Sequence, residues 1–370
     1  EGNLLRDAAA RMGDGIADPS LPQRVPGSSF AILNGYASPT HWDDDMTEGI
    51  ELGCSVWSAL LPVVEAMVDP DAAPAGREGV AVDPQECADA IVAWTRATRA
   101  TGTGHFTSFA MPAEGAILGV GSLRRLKESA RPDARARLSS LRLDSLVGER
   151  LASKVRDYVT FTFQPSARSV GGVAVDEGRA SLTDKSMARL TEVIRGGGSE
   201  AKGTEAWAAI DALVGRSWSV QWAEVDGVEV TAFGFEDTDA VMDAAVAAAR
   251  GDGAMAGNSA LMSVVAHHPT ASTTANLDPA GMMAWLRGVF TRIPGDGAVS
   301  MREYIPTDLA GDLSSIGMYS EVRPSGHQGG QLVVGTDLIV DVVMRVMAAS
   351  RSQPVEEVPY ETEAWEYETF

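Results

Sequence analysis

The chain has 370 residues, 45% of them hydrophobic and 22% charged, which suits about two or three globular domains and not a disordered chain. Its 51 acidic residues outnumber its 30 basic ones and give a formal net charge of −21. This excess argues against nucleic acid or an anionic membrane as a partner, because both attract basic surfaces. No apolar run approaches the roughly 18 residues of a transmembrane helix, so we expect no transmembrane segment.

Residues 1–28 predict an N-terminal arm, in which a short helical segment is followed by glycine, aspartate and proline residues. The chain begins at Glu1 rather than at methionine. A removed secretory signal or simple trimming explains that start, and we expect the signal, with a periplasmic, cell-envelope or secreted location. The two cysteines, Cys54 and Cys87, allow one disulfide or two buried thiols, and the sequence leaves both alternatives open.

Residues 29–100 predict one strand followed by two helices. The segment 29–36 is apolar enough for a buried strand. Apolar residues then recur at helical spacing over residues 53–68. A second helix is predicted to begin at Asp83-Pro84, because an aspartate cap followed by a first-turn proline is a typical helix start.

The rest of the chain predicts four β-hairpins, each followed by a helix. The third hairpin has the clearest turn, Asp226-Gly227, which is typical of a two-residue hairpin connection. An extra strand and helix precede the fourth hairpin, and this helix is predicted to begin at Asp278-Pro279. The predicted hairpins are 105–121, 157–180, 217–235 and 315–335, and the predicted helices after them are 122–130, 183–195, 237–250 and 336–349.

This succession predicts an α+β fold in which antiparallel sheets, built from repeated hairpin-plus-helix units, carry helices on one face. The strand and helix around Asp278-Pro279 echo the segment 29–39, which ends in Ser38-Pro39. We therefore expect two related halves. The predicted division is an arm (1–28), a first half (29–195), a Gly-rich hinge (196–204), a second half (205–350) and an acidic aromatic tail (351–370).

The second half has a particular order of elements: the hairpin 217–235, the helix DTDAVMDAAVAAAR, the segment TANLDPAGMMAWL, and a closing hairpin that runs into TDLIVDVVMRVM. This order resembles a group of uncharacterised secreted bacterial proteins that are common in planctomycetes. The resemblance covers residues 205–350 and, more loosely, 29–195. It implies a duplicated α+β fold and an exported or envelope location, and it implies no activity.

The sequence lacks the common catalytic and metal-binding motifs. It has no Gly-Lys-Ser/Thr phosphate loop, no HExxH, no G-x-S-x-G and no C-x-x-C. We therefore expect no cofactor, no metal and no catalytic residues, and lean away from an enzyme. An enzyme would have to combine His267, His268 or His327 with carboxylates from elsewhere, whereas a structural role at a helix end or turn is the simpler interpretation of each.

Aromatic residues in the third hairpin predict a possible ligand face. Alternation along the two strands places four of them together: Trp218, Trp222, Phe233 and Phe235. Such a face would suit a small apolar ligand. It would equally suit the side of the sheet that packs into the core, which we favour.

The C-terminal tail combines aromatic residues with glutamates. The aromatic residues that we expect to bind a partner are Tyr360, Trp365, Tyr367 and Phe370. An extended segment of this kind can add to the edge of a sheet in a protein partner or a second copy, with its aromatic side chains as anchors. Docking on its own domain and a disordered tail are the alternatives.

The sequence therefore predicts a non-catalytic structural or accessory component of a bacterial envelope or extracellular assembly, docking through its C-terminal tail. Two alternatives remain open. One is a periplasmic carrier or binding protein for a small apolar ligand, and the other is an enzyme with an unrecognised site.

Overall fold

The computed structural model describes residues 15–36, 43–68, 83–112, 119–127, 149–186, 188, 215–235, 238–254, 259–293, 316–322, 328–334, 339–340 and 343–344. Within these residues all ten strands belong to one sheet. The strands are β1 (Ala31–Tyr36), β2 (Gly102–Met111), β3 (Gly119–Leu126), β4 (Val159–Val170), β5 (Val173–Leu182), β6 (Ser217–Val225), β7 (Val228–Phe235), β8 (Thr273–Leu277), β9 (Ile316–Val322) and β10 (Gln328–Val334).

The strands lie in the order β10-β9-β8-β1-β2-β3-β7-β6-β5-β4, and every neighbouring pair is antiparallel. Consecutive strands form the hairpins, whereas the β1–β8 and β3–β7 pairs join distant parts of the chain. β4 and β10 are the two edges of the sheet. The helices are α1 (Asp43–Val68), α2 (Pro84–Ala100), α3 (Glu149–Tyr158), α4 (Asp239–Ala249), α5 (Ser259–His267) and α6 (Pro279–Arg292).

The core lies between one face of the sheet and α4, which packs on β3, β6 and β7. The apolar residues of α4 recur at helical spacing and include Val241, Met242 and Val246, each at most 1% exposed. They meet strand residues such as Leu123 and Val230, both 0% exposed. Burying each such side chain stabilises the fold by about 1.5–3 kcal/mol, so this layer is the main source of stability among the described residues.

Helix starts and turns follow the local sequence. The Asp278 side chain accepts a hydrogen bond from the backbone N–H of Ala280 at 2.9 Å, and Pro279 occupies the first turn of α6, as predicted. In the β6–β7 turn, Asp226 and Gly227 have φ angles of 49° and 73°. Two successive positive φ angles are typical of the type I′ turn, which confirms the predicted hairpin connection.

The α+β class and the antiparallel sheet are confirmed, and the prediction of two related halves is not. Strands from both predicted halves belong to the same sheet, because β1 pairs with β8, β3 with β7 and β5 with β6. The predicted hinge (196–204) and tail (351–370) lie outside the described residues. No described helix is both long and apolar enough to cross a membrane.

One predicted helix is wrong in its first part. Residues 122–126 continue β3 instead of beginning a helix, and they pair with β2 and β7. Leu123 is buried on the face that α4 covers, while Arg124 on the other face forms an ion pair with Glu229 at 3.0 Å. Cross-strand packing therefore prevails over local helix propensity. Helix α3, which leads directly into β4, was not predicted.

Candidate functional site

The two faces of the sheet differ in how much apolar surface they bury. In β1, Ile32 and Asn34 are 3% and 1% exposed and point to the face that α4 covers. Leu33, between them, points to the opposite face and is 39% exposed. Met318 in β9 and Leu332 in β10 share that opposite face and are 52% and 69% exposed. We call this second side of the sheet the open face.

A groove of about 410 Å³ runs along the open face from β10 to β3. Cross-strand pairing connects Leu332 to Met318, Met318 to Ala275, and Ala275 to Leu33 in one row of side chains. Among the described residues that line the groove, none is charged, and Ser108 and Asn276 are the polar ones. Its volume falls within the range of small-molecule sites, which are also mostly apolar.

The four aromatic residues predicted as a ligand face lie on the open face, on the two strands beyond the groove. Trp218 pairs with Phe235 across β6 and β7, and the rings of Phe233 and Phe235 meet edge to face at a centroid distance of 5.8 Å. Phe233 is 36% exposed, and Trp218, Trp222 and Phe235 are half-buried. We call these four residues the aromatic patch. The fully buried residues of β6 and β7 point the other way, towards α4.

The groove and the aromatic patch are continuous. Val120 of β3 lines the groove and pairs with Phe233 of β7, which in turn pairs with Val220 of β6. The row of cross-strand neighbours through Val120 and Phe233 therefore carries apolar side chains on eight strands of the open face, while Arg124 and Glu229 form an ion pair further along β3 and β7 on the same face. An exposed apolar surface of this extent is typical of a binding site rather than of an inert surface.

A polar cluster lies on the other face, where residues 15–20 cover the ends of β1, β2 and β3. The Asp18 carboxylate accepts hydrogen bonds from Arg125 Nε at 2.6 Å and from the backbone N–H of Ser20 at 2.9 Å. Burial alone would raise the pKa of Asp18, but the Ser20 hydrogen bonds and the Arg125 guanidinium outweigh it, and the pKa is lowered. This carboxylate is therefore ionised at neutral pH and holds the N-terminal segment against the sheet.

His105 belongs to the same cluster, and its ring packs on Tyr36 with 5.0 Å between ring centroids. Burial lowers the pKa of His105, Asp18 raises it and Arg125 lowers it further, so the net shift is downward. A neutral imidazole beside an ion pair can accept or donate a proton. However, among the described residues no carboxylate forms an ion pair with it, and the groove of the open face does not reach it.

A second polar cluster joins β4, β6 and the first turn of α4. Arg168 donates hydrogen bonds to Asp243 at 2.5 Å and to the side-chain oxygen of Gln221 at 3.2 Å. Gln221, which is 2% exposed, donates to Asp239 at 2.6 Å. These hydrogen bonds link the two strands to α4, and an acidic residue in a first helical turn, such as Asp239, is favoured by the helix dipole. The cluster therefore fixes α4 on the sheet.

The remaining predicted site residues that the structure describes, His267 and His268, form no site with one another. His267 lies at the exposed end of α5, and the half-buried His268 stacks on Tyr319 at a centroid distance of 3.5 Å. His327 and all four aromatic residues of the tail lie outside the described residues. Within the part of the chain that the structure describes, no three histidine, cysteine, aspartate or glutamate side chains are placed to hold a metal ion.

Comparisons with known proteins identify no relative of this chain. No protein-family model, no curated protein sequence and no solved structure matches the chain. The site must therefore be interpreted from its own residues.

Proposed function

We propose that the protein is a non-catalytic binding protein that holds an uncharged apolar ligand in the groove of the open face. The observation that carries this proposal is the groove itself, about 410 Å³ in volume and lined by apolar side chains from six adjacent strands. Leu33, Met318 and Leu332 keep large exposed fractions there. Covering them with an apolar ligand gains about 25 cal/mol for each Å² of apolar surface removed from water.

The chemistry of the groove selects the class of ligand. The described lining residues carry no charge that would pair with a carboxylate or phosphate headgroup. The chain as a whole has a net charge of −21, which repels anions at long range. We therefore expect an alkyl or acyl chain with a neutral polar end, for which the Ser108 hydroxyl is a hydrogen-bonding group within the lining.

Fluorescence titration with an uncharged apolar dye, N-phenyl-1-naphthylamine, tests this proposal. The dye should bind the wild-type chain and be displaced by 1-decanol more readily than by decanoate, because the alcohol brings no negative charge. Leu332→Lys places a charge at the groove, and we expect it to weaken dye binding at least tenfold, about 1.4 kcal/mol.

Leu52→Lys is the matched control, because Leu52 is 67% exposed on α1 and Leu332 is 69% exposed in the groove. This variant should bind the dye as the wild type does. Equal weakening by both substitutions, or no binding by the wild-type chain, would contradict the proposed ligand site.

A second candidate function is the one that the sequence favoured, a structural or accessory component of a bacterial envelope or extracellular assembly. The edge strand β10 supports it. Its sequence, QGGQLVV, contains no proline and no charge, and among the described strands it pairs only with β9. By contrast, the other edge strand, β4, contains Pro165 and an irregular register between Gln164 and Arg168, features that protect an edge from unwanted pairing.

For this candidate, the tail of one copy adds as a strand to β10 of a second copy. Main-chain hydrogen bonds along β10 would supply affinity, and Tyr360, Trp365, Tyr367 and Phe370 would act as the anchors. Native mass spectrometry of the full chain and of a chain lacking residues 354–370 tests it. The full chain, 38.9 kDa as a monomer, should form oligomers. The shortened chain should be a monomer, lighter than 38.9 kDa by the mass of the deleted residues. If the full chain and the shortened chain form assemblies with the same number of copies, the tail is not the docking element.

A further inference from the structure

Helices α1 and α2 pack against each other, and the two cysteines of the chain lie at their contact. Cys54 on α1 and Cys87 on α2 are 2% and 1% exposed, and both are free thiols. The surrounding surface of α1 is far more exposed, with Leu52 and Val56 at 67% and 53%. The thiols are therefore buried where α1 packs on α2, although α1 leaves other apolar side chains exposed.

The two thiols are also in direct contact. A side-chain hydrogen bond joins Cys87 to Cys54, and burial together with this contact raises the pKa of Cys87 to about 12. At neutral pH that thiol is protonated. A catalytic or peroxide-sensing cysteine needs the opposite, an exposed thiolate with a lowered pKa, so the pair does not suit either role.

We propose that Cys54 and Cys87 are an oxidisable pair, and that their disulfide ties α1 to α2. The oxidant is a disulfide donor, either a small-molecule disulfide or that of a thiol oxidoreductase. During folding, before the packing of α1 on α2 buries the thiols and raises the pKa of Cys87, one cysteine thiolate attacks the donor and releases one donor thiol, forming a mixed disulfide. The second cysteine displaces the other donor thiol, so two cysteine sulfurs are oxidised while the donor disulfide is reduced to two thiols.

The position of the pair in the chain gives the disulfide a physical effect. It closes a loop from Cys54 to Cys87, and closing a loop of that length restricts the unfolded chain and stabilises the folded one. It also holds α1, whose exposed apolar side chains contribute little burial of their own. Once formed, the bond is shielded from reductants because both sulfurs are buried. This inference does not depend on the groove or on its ligand.

The experiment is refolding of the full chain in a glutathione redox buffer and, in parallel, in excess dithiothreitol. Each sample is then unfolded, treated with iodoacetamide and weighed intact. The glutathione sample should be two hydrogen atoms lighter and take up no alkyl group, whereas the dithiothreitol sample should take up two. Two alkyl groups on both samples, or bonds formed only between chains, would overturn the proposal.

A stability measurement gives the second readout. The oxidised chain should unfold at a Tm a few degrees above that of the reduced chain. Cys54→Ala is the matched variant, because its Tm should be the same in oxidising and reducing buffers. An equal Tm for the oxidised and reduced wild-type chains would overturn the claim that the bond stabilises the α1–α2 pair, and the mass measurement stands whether or not the variant folds.

Discussion

At the scale of single residues, Leu123 illustrates how strongly the core depends on one side chain. It is 0% exposed in β3 and packs within the cluster that α4 covers. We expect Leu123→Ala to lower the free energy of unfolding by about 2–5 kcal/mol, because it removes buried methyl groups and leaves a cavity. Urea unfolding measures this loss. Leu332→Ala, at an exposed position of β10, is the control and should change stability by no more than about 0.5 kcal/mol.

His105 gives the fold a dependence on pH. Because burial lowers the pKa of His105 in the folded chain, the unfolded chain takes up a proton first as the pH falls below the ordinary value of 6.5. The contribution of His105 to the free energy of unfolding is therefore fully present above that pH and is lost as the pH falls below it. We expect His105→Gln to abolish the decrease between about pH 7 and pH 5. Urea unfolding across this range measures the effect, and an unchanged slope in the variant would contradict it.

Asp18→Asn tests how the Asp18 charge affects the titration of His105. The Asp18 carboxylate raises the pKa of His105, so removing its charge should make the decrease below pH 6.5 larger. The lowered pKa of Asp18 itself makes a separate contribution, which is present above the ordinary value of 3.8 and lost as the pH falls below it. In Asp18→Asn this second loss should disappear. Urea unfolding at a series of pH values measures both changes, because the two groups act in different pH ranges.

At the scale of elements, replacing glycine with alanine should lower stability in a turn and raise it in a helix. Gly227 has a φ of 73° in the β6–β7 turn, and no atom lies within 4 Å of the position that a Cβ would occupy, so Gly227→Ala costs only backbone strain, roughly 1–2 kcal/mol. Gly288 lies inside α6 and is equally unobstructed. Gly288→Ala should raise stability by about 0.5–1 kcal/mol. Thermal unfolding of both variants tests the pair, and a shift of the same sign would contradict it.

The elements differ in how far the sequence determines them. β6, β7 and α6 could be predicted because their turn and cap residues, Asp226-Gly227 and Asp278-Pro279, act locally. The end of β3 could not, because Leu123 and Arg124 become strand residues through contacts with β7, which is distant in sequence. Local signals therefore suffice for the hairpins and fail where a strand depends on a remote neighbour.

At the scale of the whole molecule, the order of strands predicts a gradient of protection. β1, β2, β3 and β7 each have neighbours on both sides, whereas β4 and β10 lie at the edges. We expect amide hydrogens of the central strands to exchange most slowly and those of β4 and β10 fastest, because edge strands open at lower free energy. Hydrogen-exchange mass spectrometry of the dilute chain measures this. Protection of β10 equal to that of β2 would contradict an open edge.

The candidate site depends on the same long-range order. Trp218, Trp222, Phe233 and Phe235 could be placed on one face from the sequence, because two consecutive strands carry them. The groove could not, since Leu33, Ala275 and Met318 become neighbours only when β8 inserts between β1 and β9. Alternation along β1 predicts that Leu33 faces away from Ile32 and Asn34. It does not predict which side chains of other strands lie next to Leu33.

The β1–β8 pairing also has a consequence for how the protein is made. Ala31 pairs with Leu277, so a ribosome must synthesise most of the chain before β1 gains its second neighbour. At about 5–20 residues per second, β1 waits for many seconds with one strand edge uncovered, whereas β2 gains its second neighbour, β3, soon after it is made. Completion of the sheet is therefore an event late in synthesis or after release. Chains that stall before β8 expose an apolar strand edge to other nascent chains, and these truncated products should be the ones that aggregate.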